Sequence, residues 1–314
     1  MATRRNVAAA VEVSGLRKSY PGGVEAVRGI DLEIRPGEIF GLVGPNGAGK
    51  STTIGMLTTT IRPTAGRARV AGFDVVRQAL QARGVSSVVF QEPVVDRSLT
   101  GRKNLQIHAK LWGVPGRSGA DLIEMLGIGD VIDRPMSTYS GGQVRRLEIA
   151  RALVSDPTVL FLDEPTVGLD PLIRYSLIDA IASLRTQSDM TVLLTTHYLD
   201  EAERLCDRLA IMHEGELVAL GTPRELLATL GQELIELRVE DDPDDALDEL
   251  RAHKIAGDDA FAVGSTITVP LHRKRSVRAL AVIDDLDLHA TAIATRKPTL
   301  DDVFVRLTGD RVAV

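Results

Sequence analysis

The octapeptide Gly44-Pro45-Asn46-Gly47-Ala48-Gly49-Lys50-Ser51 restricts this chain more than any other stretch. It fits the spacing G-x-x-x-x-G-K-[ST] and sits where that spacing makes mechanical sense, between the apolar run EIFGLVG and a helix expected over Lys50 to Leu57. Its glycines let backbone N–H groups curl around phosphate oxygens without Cβ clashes, and the helix start adds partial positive charge. Lys50 is then expected to reach the β- and γ-phosphates of a nucleotide, and the Ser51 hydroxyl to ligate Mg²⁺. A second feature belongs with the first. Val159-Leu160-Phe161-Leu162 is a buried-type strand ending in Asp163 and Glu164. Asp163 is expected to hold the magnesium shell, and Glu164 to orient and polarise an attacking water.

The rest of the chain supplies the scaffold these features need. From Val11 it reads as strands, VEVSGL, GIDLEI and EIFGLVG, with turns at Pro21-Gly22-Gly23 and Pro36-Gly37. Helical patterns dominate from Thr100 to Leu153, where Val144, Leu147, Ala150 and Val154 recur at helical spacing. The strands VLFL and TVLLTT (191–196) then flank a helix over Leu172 to Leu184, the order of a parallel α/β sheet. After Gly221-Thr222-Pro223 the character changes. Strands at 234–240, 261–269 (with Gly264-Ser265 at a hairpin position) and 288–294 alternate with helices at 244–253 and 276–283, and a last helix is capped by Thr299 with Asp302 three residues on. This is β-α-β-β-α-β order, a small α+β domain.

Composition narrows the function classes. The longest stretch without a charged side chain is the 12 residues Ala260 to Leu271, too short for the roughly 20 apolar residues of a membrane span. A net charge of −6 argues against a broad nucleic-acid surface, so no nucleic-acid partner is expected. Cys206 is the sole cysteine, which excludes an internal disulfide, and it reads as small apolar filler. Arg4-Arg5 is followed by Glu12 rather than an apolar run, so no export signal is expected and the chain is placed in the cytosol. The basic run Arg273-Lys274-Arg275 reads as a solvated helix start.

Tyr139-Ser140-Gly141-Gly142-Gln143, before a helix and ahead of Asp163, resembles the signature motif of ABC ATPases, and the resemblance extends through most of residues 11–228. Tyr20 matches the aromatic that stacks on adenine, Gln91 the Q-loop glutamine, Asp170 in Gly168-Leu169-Asp170 the D-loop, and His197 the switch histidine. The resemblance implies a P-loop NTPase core of ABC type in an α/β fold, with an antiparallel β subdomain and a helical subdomain at about 95–155, together spanning 8–228, plus the small α+β domain at 229–314. It implies ATP and Mg²⁺ as cofactors. Gly44 to Ser51, Thr52, Tyr20, Gln91, Ser140, Gly141, Gly142, Gln143 and Asp170 are the expected nucleotide contacts, Ser51, Gln91 and Asp163 the metal contacts, and Glu164 and His197 the catalytic pair. In this family the signature caps the γ-phosphate held by a second subunit, so a head-to-tail homodimer is implied, with weak hydrolysis by the isolated protein.

Asp96 to Leu105 and the ending Pro298-Thr299-Leu300-Asp301-Asp302-Val303-Phe304 resemble the daunorubicin-resistance ATPases, a family of drug exporters that work with separate integral membrane permease subunits. Lys103 and Gln143 depart from that family's usual glutamate and methionine-type residues. The implied function is ATP hydrolysis that powers export of a drug-like or lipophilic substrate, at the cytoplasmic face of the membrane. The groove near Gln91 and Leu99 to Trp112 is expected to receive a short permease helix, with Trp112 itself in the subdomain core. The competing class is a soluble ABC ATPase driving a DNA-repair or ribosome-associated machine. Against it stand the absence of a long coiled-coil insertion between Gln91 and Tyr139 and the acidic charge.

Overall fold

A computed structural model of the chain describes residues 9–114, 119–187, 189–272, 276–286 and 288–309; the basic run 273–275 falls outside these. The chain divides into two compact units, residues 1–218 and 219–314.

The first unit opens with β1 (Val11–Ser19) and β2 (Glu25–Ile34), an antiparallel pair in which Val11 lies opposite Ile34. Next come β3 (Ile39–Val43), α1 (Lys50–Leu57), β4 (Ala65–Val70), β5 (Phe73–Asp74), α2 (Ala79–Gly84) and β6 (Ser86–Val89). The helical segment holds α3 (Gly101–Leu111), α4 (Ala120–Met125) and α5 (Gly141–Leu153). The chain then returns through β7 (Val159–Asp163), α6 (Pro171–Gln187), β8 (Thr191–Thr196), α7 (Leu199–Leu205), β9 (Arg208–His213) and β10 (Glu216–Gly221).

Two sheets result. The antiparallel one has the order β2-β1-β4-β5, and the other the order β10-β9-β3-β8-β7-β6, parallel from β9 to β6. A parallel strand covered on both faces must be apolar throughout rather than alternating. Accordingly every residue of β3, β7 and β8 is buried. Phe40 and Phe161 are fully enclosed, each worth about 2–3 kcal/mol of burial.

Register positions the chemistry. Val43 of β3 pairs with Thr196 of β8, and Asp163 of β7 pairs with Thr195. The phosphate-type loop after β3, the carboxylates ending β7 and His197 after β8 therefore leave the sheet side by side, at the carboxyl ends where open α/β sheets carry their ligands. β4, β5, β6, β9 and β10 are not among the strands read from sequence. Arg67 and Arg69 break the apolar run of β4, whose exposed half faces solvent.

The second unit carries α8 (Pro223–Ala228), β11 (Glu233–Val239), α9 (Pro243–Ala252), β12 (Phe261–Val263), β13 (Thr266–Leu271), α10 (Ser276–Asp284), β14 (Ala290–Arg296) and α11 (Leu300–Thr308). Its antiparallel sheet has the order β12-β13-β11-β14, the split β-α-β-β-α-β arrangement. β14 starts two residues later than the sequence pattern placed it because His289 takes a left-handed φ of 45°, which breaks the extended chain after Leu288. Thr299 begins α11 as expected: its N–H and hydroxyl both donate to Asp302 Oδ2, at 2.8 and 2.9 Å.

Candidate functional site

The loop between β3 and α1 is held open by glycine geometry. Gly49 precedes α1 with φ 104°, and a Cβ there would overlap the carbonyl oxygen of Ala26, so no other residue fits without moving the loop. Lys50 starts the helix and is 4% exposed. Its ammonium donates to the carbonyls of Gly44 (2.6 Å) and Pro45 (3.1 Å) and lies 3.0 Å from Glu164 Oε1.

Glu164 is the hub of the site. Its second oxygen, Oε2, lies 2.6 Å from His197 Nδ1, which carries the proton if the carboxylate accepts. Its backbone N–H donates to Thr195 Oγ1 at 2.9 Å, and its φ of 48° is a conformation that a non-glycine residue rarely adopts. Such strain persists only where surrounding bonds over-determine it, and it concentrates at functional positions. Asp163 Oδ1 accepts from Thr195 Oγ1 (2.6 Å) and from Ser51 Oγ (3.0 Å). Lys50, Ser51, Asp163, Glu164 and His197, drawn from three strand ends, thus form one connected cluster closed by Thr195.

The cluster fits a nucleotide with Mg²⁺. Among the described residues no group of three or more His, Cys, Asp or Glu side chains could hold a metal alone. Magnesium suits what is present, because it is commonly held by one or two protein oxygens together with phosphates and waters. Ser51 Oγ and Asp163 are such oxygens.

Other expected residues stand apart from this cluster. Tyr20 is half-exposed, with the Lys18 ammonium 4.9 Å from its ring centre, and Asn46 and Gly47 are exposed at the loop tip. Thr52 lies in the first turn of α1. Asp170 Oδ1 accepts from the Ile173 N–H at 3.1 Å at the start of α6. Ser140 and Gln143 form a reciprocal cap at the start of α5: Gln143 Oε1 accepts from the Ser140 N–H (2.9 Å) and Ser140 Oγ from the Gln143 N–H (3.4 Å). Gly142 packs so tightly that a Cβ would overlap Ile173 Cγ2. Among the described residues no hydrogen bond or ion pair joins 140–143 to the loop at 44–52.

Gln91 is exposed, but its backbone is tied to α5. Arg145 donates to the carbonyls of Phe90 (2.6 Å) and Gln91 (2.7 Å) and to Glu148 Oε2 (3.0 Å); Glu148 Oε1 accepts from the Val94 N–H at 2.7 Å, and Arg151 donates to the Val94 carbonyl. Burial pushes the Glu148 carboxyl above, and the Arg145 guanidinium below, their usual ranges.

Sequence reasoning missed Thr195, Arg145, Glu148 and Glu201. Glu201, 2% exposed, accepts from Thr166 (2.9 Å) and Thr196 (3.0 Å), and so ties the segment after Glu164 to the one before His197. The available signals were hydroxyls ending an apolar strand and a glutamate inside the apolar stripe of α5. Trp112 corrects an expectation: it is 36% exposed and lines a cavity of about 490 Å³ with Arg83, Phe90, His108 and Arg151. Cys206 is buried as expected, and burial pushes its thiol upward.

Residues 27–167 match the family model described as ABC transporter. Over 310 residues the chain is 42% identical to the daunorubicin/doxorubicin resistance ATP-binding protein DrrA of Streptomyces peucetius, covering 96% of this chain and 92% of that protein. The chain belongs to the ABC transporter family. Within it, this ABC ATPase groups with the daunorubicin-resistance ATP-binding proteins. It is also 39% identical over 310 residues to the Nod factor export ATP-binding protein I of Paraburkholderia xenovorans, covering 96% of this chain and 97% of that one. Among solved structures, cbiO1 from Clostridium perfringens, part of the ABC transporter complex cbiONQ, superposes with a TM-score of 0.65 at 28% identity, covering 71% of this chain and 92% of that chain. The ABC fold and nucleotide binding by this ATPase follow. No described helix is long and apolar enough to cross a membrane.

Proposed function

We propose that this ATPase powers the export of a drug-like or lipophilic molecule through separate membrane permease subunits, working peripherally at the cytoplasmic face. The observation that carries the catalytic part is Glu164, held by Lys50 at 3.0 Å and by His197 at 2.6 Å beside the glycine loop. The names of the relatives, anthracycline resistance and Nod factor export, support the transport part.

In this reading the loop from Gly44 to Ser51, with Thr52, takes the phosphates; Lys50 neutralises the β- and γ-oxygens, and Tyr20 stacks on adenine. Ser51, Asp163 and Gln91 hold Mg²⁺, which supplies charge neutralisation on the phosphates. Glu164 orients the attacking water, and His197, donating to it through Nδ1, fixes the carboxylate and, with its second nitrogen also protonated, offers the Nε2–H to the γ-phosphate. Among the described residues, Ser140, Gly141 and Gly142 make no bond to their own loop, which supports a head-to-tail homodimer in which they cap the nucleotide of the other copy with the N–H groups at the start of α5. Gln143 then acts by capping that helix start, and Asp170 by starting α6 near it. Residues 8–228 serve as the nucleotide-binding domain, 229–314 as an accessory domain, and the cavity by Phe90 and Trp112 receives a short permease helix.

Replacing Glu164 by glutamine keeps the size and removes the base. ATP binding is expected to persist while hydrolysis slows at least about 100-fold. Turnover equal to that of the unaltered protein would remove Glu164 from the mechanism.

A further inference from the structure

The two edges of the second unit's sheet are unlike. β12 is three residues long, a short edge of the kind that resists pairing with other chains. β14 is seven residues long, and Ala290 through Thr295 are exposed on both faces. No lysine, proline or charge interrupts residues 290–295, and its one edge-blunting feature is the register shift against β11 between Ala292 and Ala290. Its centre, Thr291-Ala292-Ile293-Ala294-Thr295, reads the same in both directions.

We propose that β14 pairs antiparallel with β14 of a second copy of this chain, centred on Ile293. An antiparallel two-fold pair joins residues of equal parity, because alternate residues turn their N–H and C=O to the free edge, so the axis must pass through a residue pair. Centring it on Ile293 sets Ile293 against Ile293, Ala292 against Ala294 and Thr291 against Thr295. Ile293, 43% exposed, lies beside the fully buried Leu237 of β11. The two isoleucines would therefore carry the apolar layer of one sheet into the next. Threonine pairs and aliphatic pairs directly opposite one another favour such a ladder. The charges agree: Arg296 falls opposite Ala290, not opposite itself. Just beyond each end, Lys297 of one copy meets the end where the other carries His289 bonded to Asp241 at 2.7 Å.

One strand pair buries less than the roughly 1,600 Å² of a standard interface, so the contact works as a tether that raises the effective concentration of the nucleotide-dependent pairing. It goes beyond that pairing, because it needs no nucleotide.

The test uses the purified full chain without nucleotide, oxidised by diamide and resolved on a non-reducing gel. Ile293→Cys is expected to give a disulfide-linked dimer, since Cα atoms directly opposite lie about 4.5–5.5 Å apart, within disulfide reach. Ala290→Cys places its two thiols roughly 20 Å apart and is expected to give none. The unaltered protein is expected to give none, because Cys206 is buried. In the Ile293→Cys background, Thr291→Lys with Thr295→Lys sets like charges opposite and is expected to lower the yield about fivefold, whereas Thr291→Lys with Thr295→Glu restores it. Circular dichroism confirms that each variant is folded. No dimer from Ile293→Cys, equal dimer from Ala290→Cys, or no rescue by the lysine–glutamate pair would each overturn the proposal. ATP-dependent dimerisation of Glu164→Gln on a sizing column reads the nucleotide sandwich separately: loss of the disulfide with that dimer retained overturns only the strand pairing, and the converse overturns only the sandwich.

Discussion

Arg145 and Glu148 lend themselves to a quantitative test, because they do more than neutralise one another. Both side chains are enclosed, 6% and 1% exposed. Deleting Glu148 as alanine leaves the Arg145 charge buried with only the Phe90 and Gln91 carbonyls, and strips the Val94 N–H of its acceptor. Breaking a buried pair costs about 3–5 kcal/mol. Burial already opposes the Glu148 charge, and Arg145 keeps two acceptors, so the lower end, about 3 kcal/mol, is expected. The informative variant removes both charges, Arg145→Met with Glu148→Leu. An ordinary buried pair tolerates such replacement at little or no cost. Here three backbone groups of the 90–94 segment lose their partners, each worth about 1–3 kcal/mol if left dry. With exposed Gln91 able to recruit water, the double variant should still lose about 2 kcal/mol. Urea unfolding gives the loss, and hydrogen exchange at the Val94 amide reports whether the segment has come free of α5. A double variant within about 0.5 kcal/mol of the unaltered protein, with Val94 still protected, would refute the idea that the pair anchors the segment carrying Gln91.

Two further outcomes follow from geometry and burial. Gly49→Ala adds a Cβ against the Ala26 carbonyl at φ 104°, so the loop must shift; titration with a fluorescent ATP analogue should show binding lost, and affinity equal to that of the unaltered protein would show that the loop tolerates a side chain. Burial, and then the Arg151 charge, pull the His108 imidazole down to about 4, so its stabilising share is fully present above the unfolded value near 6.5 and is lost as pH falls through 4. Discounted for its partial exposure, about 1–2 kcal/mol of stability should disappear across that window in the unaltered protein and not in His108→Gln; identical pH profiles in urea melts would contradict it.

How much of this was legible in the sequence depends on whether a residue's role is local. The octapeptide at 44–51, the Asp163-Glu164 pair and the cap at Thr299 are short-range devices whose residue types admit few other uses, so their placement on loop, strand end and helix start followed directly. Thr195 was not legible, because a threonine inside TVLLTT serves a strand equally well as a β-branched filler. Its bridging of Asp163 to the Glu164 backbone depends on β8 lying next to β7. Glu148 was obscured for a related reason: charged residues on helices are usually solvated, and only the packing of α5 over residues 90–94 makes this one buried.

Adjacency of strands is the information a single sequence hides most completely. β3 is flanked by β8 and β9, both more than a hundred residues downstream, so nothing in the local pattern of EIFGLVG announces its neighbours. Yet that adjacency makes the site. Shifting β8 by one residue against β7 would set Leu194 or Thr196 opposite Asp163 in place of Thr195, and successive residues point to opposite faces of a sheet. The Thr195 hydroxyl would then leave Asp163, and His197 would move by about 3.3 Å relative to Glu164, farther than a hydrogen bond can stretch. The buried interiors of β3, β7 and β8 therefore do more than fill the core: their packing fixes the register on which the contact between His197 and Glu164 depends.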